Sequence, residues 1–130
     1  MRMTIKTGDM AIFFTNINRQ MGLAGHSHFA LVNCTYAHAV DDKLLGFPVF
    51  ENTIRALHDE ILRVTKKPFR DHTNELVAKV IWDAVEGFTN PFTAEWSDAD
   101  FNLVRIELKV RGVRDAIGHS DSFATYILER

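Results

Sequence analysis

Three features that would narrow the function at once are scarce in this chain: cysteine, blocks of one charge and long apolar runs. Cys34 is the only cysteine in 130 residues, so no disulfide can form within the chain. The 15 Lys and Arg residues stand against 17 Asp and Glu residues and form no block, which argues against nucleic acid or an anionic membrane as a partner. Neither a secretory leader nor a membrane-spanning segment is visible. We therefore expect a cytoplasmic protein.

The composition is that of one folded domain. Hydrophobic residues make up 46% of the chain and charged residues 25%. A chain of this length can bury one sizeable core and is too short for two, so we expect residues 1–130 to form a single domain. Cys34 lies among strand-forming residues, where a small buried hydrophobic residue is expected rather than a nucleophile.

Four segments have the residue pattern of β-strands. Residues 10–21 space their apolar side chains unevenly, residues 29–36 are rich in β-branched and aromatic residues, and residues 122–128 mix both kinds. The clearest strand is 103–111, because its charged residues alternate with the apolar Val104, Ile106, Leu108 and Val110. Such alternation predicts one buried face and one polar face.

Two helices are expected between the second and third strands. Apolar residues recur three or four positions apart in the first of them, at Ile54, Leu57, Ile61 and Val64. Gly46 and Pro48 are expected to keep the residues before Glu51 out of this helix. The second helix is expected to start after a cap at Asp71 and to end at Gly87.

This order of elements predicts an α+β protein, with a four-stranded antiparallel sheet and two helices on one face (ββααββ). Such a sheet leaves its edges and its second face uncovered. Edges of this kind are often paired with other subunits. We therefore expect a homo-oligomer, in which several chains close one barrel.

Three segments match the motifs of a known family. They are Leu-Val-Asn-Cys-Thr at 31–35, Asn-Glu-Leu-Val-Ala-Lys-Val-Ile at 74–81 and Val-Arg-Ile-Glu-Leu-Lys-Val-Arg at 104–111. In this order they resemble the tunnelling-fold pterin enzymes, and within them the dihydroneopterin aldolase and dihydroneopterin triphosphate epimerase group. The resemblance implies a tunnelling fold assembled as a tetramer or octamer, a small-molecule pterin substrate and no metal or organic cofactor.

The resemblance also implies the substrate-binding residues. The family's anchoring glutamate falls on Glu75, and a carboxylate suits the 2-amino and N3-H donors of a pterin ring. Asn74 and Leu76, on either side of it, are expected to contact the substrate. Leu45 and Phe47 match a family segment that approaches the site of a neighbouring subunit. Without the resemblance, the spacing favours the interpretation of Glu75 as an ordinary acidic residue stabilised by the helix dipole.

Lys109 falls on the family's catalytic lysine. The implied reaction is a retro-aldol cleavage between C1′ and C2′ of a dihydropterin side chain, or epimerisation at C2′ through the same cleavage. A lysine can serve as the acid and base when cationic neighbours, here Arg105 and Arg111, favour its neutral form. Alternatively, Lys109 belongs to an ordinary solvated face of alternating charge. Phe47 stands where the family has a tyrosine, so a hydroxyl expected to relay protons is missing.

Two other functions stay open. His26 and His28 resemble the histidine pair of the zinc-dependent 6-pyruvoyl-tetrahydropterin synthases, whose third ligand would have to come from His38, His58, His72 or His119. The pair can also be two solvated loop histidines. The other alternative is a non-catalytic pterin-binding or assembly protein of the same fold, because Phe47 and the short loop of residues 23–28 lack groups that the chemistry uses.

Overall fold

The structure is a computed structural model that describes residues 2–17, 26–39, 47–95, 102–111 and 123–130. The six strands in these ranges are β1 (Arg2–Lys6), β2 (Met10–Ile17), β3 (His26–Ala39), β4 (Phe69–Arg70), β5 (Asn102–Arg111) and β6 (Phe123–Glu129). The helices are α1 (Phe47–Thr65) and α2 (Asn74–Glu95). The α+β class and the order of the long elements agree with the sequence prediction.

Strand β3 is the centre of the sheet. It pairs antiparallel with β1 and β2 along one side and with β5 along the other, and β5 pairs antiparallel with β6. The short β4 pairs parallel with the end of β2. The sheet is therefore mixed and has six strands, whereas four antiparallel strands were expected. Neither β1 nor β4 was predicted, because β4 has two residues and β1 is cut off from β2 by the segment 7–9.

The break between β1 and β2 is built around Gly8, whose φ of 79° lies in the left-handed region. Just before Gly8, Thr7 forms the hydrogen bonds that connect this segment to β3. The Thr7 N–H donates to the Cys34 carbonyl at 2.9 Å, and the Cys34 N–H donates to Thr7 Oγ1 at 3.0 Å. The chain thus leaves β1, turns at Gly8 and continues along the same side of β3 as β2.

The helix boundaries differ from the predicted ones at three places. Helix α1 begins at Phe47 and includes Pro48, whose missing N–H costs nothing in a first turn. The cap of α2 is Thr73 and not Asp71, because Thr73 Oγ1 accepts a hydrogen bond from the Leu76 N–H at 3.3 Å. Asp71 instead occupies the preceding turn with a φ of 53°. Helix α2 continues through Gly87 to Glu95.

Both helices pack on one face of the sheet. Helix α1 contacts β2, and α2 contacts β5 and β6. The buried side chains of sheet and helices form one cluster, which includes Ile12, Phe14, Val32, Leu57, Ile61, Val77, Ile81, Val85, Ile106 and Leu108. From Arg105 to Arg111 strand β5 alternates as predicted, with its charged residues on the face that the helices do not cover. Before this stretch Leu103 is buried and Val104 is only half-buried, although Val104 was predicted to be buried, because the pairing with β3 shifts its register between Thr35 and Tyr36. In the described ranges, neither helix combines the length and apolarity needed to cross a bilayer.

Cys34 is fully buried in this cluster, which confirms its prediction as a small core residue. Burial disfavours the charged thiolate and raises the pKa of the Cys34 thiol to about 12. The thiol is therefore a poor nucleophile at neutral pH.

Candidate functional site

The first turn of α2 presents its predicted site residues at the surface. Glu75 is exposed, and 49% of Leu76 is accessible. Asn74 Nδ2 donates a hydrogen bond to the Tyr126 hydroxyl at 3.1 Å and so fixes this turn against β6. The turn therefore offers a carboxylate and an apolar side chain at consecutive positions of an anchored backbone, where they project about 100° apart around the helix axis.

Lys109 lies on β5, opposite Leu31 of β3 and Thr125 of β6. Its neighbours Leu108 and Val110 are buried under the helices, so Lys109 projects from the uncovered face of the sheet. Its side chain is 34% exposed, and its Nζ lies 3.7 Å from Asp9 Oδ1. That distance is near the upper limit for an ion pair.

The two arginines expected to act on Lys109 are engaged elsewhere. Arg105 forms a hydrogen bond of 2.5 Å with Glu129 and another of 2.8 Å with Glu107. The Arg111 guanidinium lies 5.6 Å from the centre of the Phe29 ring. The positive charge of Arg105 is thus offset by the carboxylates of Glu129 and Glu107. Lys109 has the carboxylate of Asp9 beside it.

Glu75 and Lys109 lie on opposite sides of the sheet. Within the described parts of the chain no hydrogen bond or ion pair joins them. Tyr126, which holds the first turn of α2, and Thr125, which lies beside Lys109, are consecutive on β6 and project to opposite faces. Strand β6 ends the order of paired strands. A ligand that contacts both residues of one chain must therefore reach around the edge of the sheet.

The two residues predicted at a subunit interface cannot be placed. Leu45 lies outside the residues that the structure describes. Phe47 is the first residue of α1, and its side chain also lies outside the described part. Their contact with a neighbouring subunit stays a prediction.

The predicted histidine pair lies on β3, where His26 is opposite Asn16 and His28 is opposite Phe14. The His28 ring stacks on Phe14 with a centroid distance of 5.2 Å. Phe69 continues this row of rings, with centroids 6.0 Å from Phe14 and 5.5 Å from His72. His28 is thus part of an aromatic cluster on the covered face and is not a solvated loop residue.

Asn16 is a buried polar residue at the same end of the sheet, with 7% of its surface exposed. Its Nδ2 donates to the His72 carbonyl at 2.5 Å, whereas its Oδ1 has no partner among the described residues. His72 Nδ1 lies 2.6 Å from the Arg70 carbonyl oxygen and donates to it. These contacts join the end of β2 to the turn before α2.

A zinc site needs at least three protein ligands. No group of three His, Cys, Asp or Glu side chains is suitably arranged within the described ranges. His58 Nε2 lies 2.8 Å from the Ala11 carbonyl oxygen, and this hydrogen bond keeps the nitrogen from binding a metal. The side chains of His26 and His38, and the whole of His119, lie outside the described part. The described side chains therefore do not fit a zinc site.

Two residues near the predicted site were missed by the sequence prediction, Asp9 and Tyr126. Asp9 follows a break in the strand pattern, and Tyr126 lies in a strand that mixes apolar and polar residues. The dipeptide Gly8-Asp9 is a typical turn signal and was the only sequence feature that pointed to Asp9.

Comparisons with protein-family models, with curated protein sequences and with solved structures gave no significant match. Support for a function therefore comes from the motifs and from the geometry of these residues.

Proposed function

We propose that this chain is a dihydroneopterin aldolase/epimerase-type enzyme with a tunnelling fold. Its substrate is the hydroxylated side chain of a 7,8-dihydropterin, such as dihydroneopterin or its triphosphate, and it uses no metal or organic cofactor. The observation that carries the proposal is the anchored first turn of α2, where the consecutive residues Glu75 and Leu76 are both exposed. The Asn74–Tyr126 hydrogen bond holds this turn at the strand next to Lys109.

Glu75 has the chemistry that a pterin ring requires. Its two carboxylate oxygens accept hydrogen bonds from the 2-amino group and from N3-H, and such charge-assisted bonds are stronger than neutral ones. Its place in the first turn of a helix also stabilises the negative charge. Leu76 supplies an apolar contact for the face of the ring, which favours a flat aromatic ligand over a purely polar one.

Lys109 is proposed as the acid/base of the reaction. The proton of the 2′-hydroxyl is removed, the C1′–C2′ bond breaks, and its electron pair passes into the dihydropterin ring while an aldehyde leaves. A proton then returns to C1′. In the epimerase reaction the aldehyde instead turns and is attacked again on its opposite face. The lysine, acting directly or through water, can carry the proton in both reactions.

Assembly of several chains completes the proposed site. Glu75 and Lys109 of one chain lie on opposite sides of the sheet, with β6 between them at the end of the paired strands. A neighbouring chain that pairs along β6 brings its own residues to this edge. We propose a tetramer or octamer in which one substrate contacts Glu75 of one chain and Lys109 of another.

Incubation with dihydroneopterin and with its triphosphate, followed by chromatography of the products, tests the proposal. An aldehyde and a shortened pterin indicate the aldolase, and a C2′ epimer indicates the epimerase. Binding without turnover indicates the non-catalytic protein, and absence of binding refutes the proposal. Stoichiometric zinc in the purified protein would also refute it and would favour the synthase-like enzyme.

Glu75→Gln separates pterin recognition from general damage to the helix. We expect pterin binding to weaken roughly 10- to 100-fold, because a charged acceptor is replaced by a neutral amide. Asp83→Asn makes the same kind of change farther along α2, at an exposed residue paired with Lys79. This control should leave pterin binding unchanged.

A further inference from the structure

Asp9 is a carboxylate on the uncovered face to which the proposed function gives no role. It follows Gly8, and the next residue, Met10, is buried on the opposite face. Asp9 Oδ1 accepts a hydrogen bond from Asn33 Nδ2 at 3.3 Å and lies 3.7 Å from Lys109 Nζ. The segment 7–9, strand β3 and strand β5 thus meet at this point.

This convergence requires a side chain to reach across β3. Asp9 immediately precedes β2, whereas Lys109 lies on β5, and β3 separates these two strands. Neighbouring strands are about 4.8 Å apart, so the two backbones are roughly 10 Å apart. Asn33 of β3 lies between them and binds the Asp9 carboxylate. The left-handed turn at Gly8 brings the chain into β2 with Asp9 on the required face.

We propose that Asp9 is a positioning residue for Lys109. Its carboxylate holds the side-chain nitrogen of Lys109 over β3, and Asn33 fixes the carboxylate in turn. The inference rests on the proposed function, because it assigns Asp9 a role in the same proton transfer. A lysine side chain has four flexible carbons, and a displacement of about 1 Å in an acid/base group can lower a rate roughly 100-fold. Asp9 limits that freedom without contacting the substrate.

Asp9→Asn tests this role with little risk to the fold, since an amide oxygen can still accept from Asn33. We expect kcat to fall roughly 10- to 100-fold while KM stays within about twofold. Asp9→Glu, which keeps the charge, should recover most of the loss. Asp83→Asn, which breaks an exposed ion pair of similar type with Lys79, should leave both constants unchanged.

A double-mutant cycle shows whether Asp9 acts through the lysine. In a Lys109→Ala background, Asp9→Asn should have no further effect on the residual rate. An equal loss in both backgrounds would overturn the inference, as would an unchanged kcat of Asp9→Asn in the wild-type background. Wild-type turnover is measured first. If the wild type converts the substrate, either contradicting outcome refutes only the role of Asp9 and leaves the proposed function intact. If the wild type does not convert it, the proposed function and the inference are both refuted.

A second readout does not depend on turnover. The side-chain ammonium resonance of Lys109, assigned by its loss in Lys109→Arg, is followed in nitrogen-15 NMR spectra. We expect Asp9→Asn to shift this resonance and Asp83→Asn to leave it in place. A Lys109 resonance that Asp9→Asn does not change would contradict the contact itself.

Discussion

The Tyr126 hydroxyl accepts a hydrogen bond of 3.1 Å from Asn74 Nδ2 and so ties the first turn of α2 to strand β6. Both residues are partly buried. The bond matters because the residue after Asn74 is the proposed pterin anchor, Glu75. A carboxylate at the start of a helix is mobile unless that turn is held.

Tyr126→Phe removes only the hydroxyl, and we expect two effects. The free energy of unfolding should fall by about 0.5–1.5 kcal/mol, the usual contribution of one hydrogen bond. Pterin binding should weaken severalfold, because the turn that carries Glu75 loses its anchor. Urea denaturation and a binding titration measure the two effects. In the Asn74→Ala background the second mutation should cost much less, and full additivity would show that the bond contributes nothing.

Subunit complementation tests whether one site uses two chains. Glu75→Gln and Lys109→Ala subunits are each expected to be nearly inactive alone. Co-expressed with different tags and purified as mixed oligomers, they should regain part of the wild-type rate, because some interfaces then combine an intact Glu75 with an intact Lys109.

Two results would contradict this arrangement. Mixed oligomers that stay inactive would place both residues of a site in one chain. A monomeric protein with full activity would exclude an intersubunit site altogether. Gel filtration of the wild type before mixing distinguishes the two cases.

The parts of the fold that the sequence predicted are those with local periodicity. Strand β5 was recognised because its alternation of charged and apolar residues is regular over 104–111, and α1 because Leu57 and Ile61 lie one turn apart on its buried face. Strand β4 was missed because its two residues gain their conformation from parallel pairing with β2, more than 50 positions earlier. Pairing of that kind leaves no pattern in a short window.

Less of the candidate site than of the fold could be predicted from the sequence. The placement of Glu75 in the first turn of α2 and of Lys109 on the polar face of β5 follows from local pattern and agrees with the structure. The contact between Asp9 and Lys109 joins residues 100 positions apart and depends on the backbone angle at Gly8. The separation of Glu75 and Lys109 by the sheet depends on how the elements pack. Neither relationship can be read from spacing.

The Cys34 thiol should be unreactive in the folded protein. Burial raises its pKa to about 12, so almost no thiolate exists at pH 8. A thiol reagent such as Ellman's should therefore react only after the protein is unfolded in guanidinium. Rapid labelling of the native protein would show that the cluster around Cys34 opens readily. Cys34→Ser should cost more stability than Cys34→Ala if the buried hydroxyl finds no partner.

The contact of the C-terminal residue with α2 gives the protein a specific acid sensitivity. Arg130 forms an ion pair with Glu86 and lies over the Trp82 ring, whose Nε1 also donates to Glu86 at 2.6 Å. The Arg130 hydrogen bond, and after it the Trp82 hydrogen bond, lower the pKa of Glu86 below its ordinary value of 4.5. A carboxyl group with a lower pKa in the folded state stabilises the fold above its unfolded pKa. This contribution is lost as the pH falls below 4.5 through the lower folded value.

Glu86→Gln should therefore remove part of the acid-induced loss of stability. At pH 7 the variant is expected to be slightly less stable than the wild type, since the partly exposed pair is screened by solvent. As the pH falls below 4.5 the difference between the two should shrink toward zero, because the wild-type carboxyl group takes up its proton. Melting temperatures measured from pH 7 to pH 3 test this convergence. Arg130→Gln removes the partner of Glu86 and should give the same trend. If the melting temperatures of the wild type and Glu86→Gln instead differed by a constant amount at every pH, Glu86 would not contribute to the acid sensitivity.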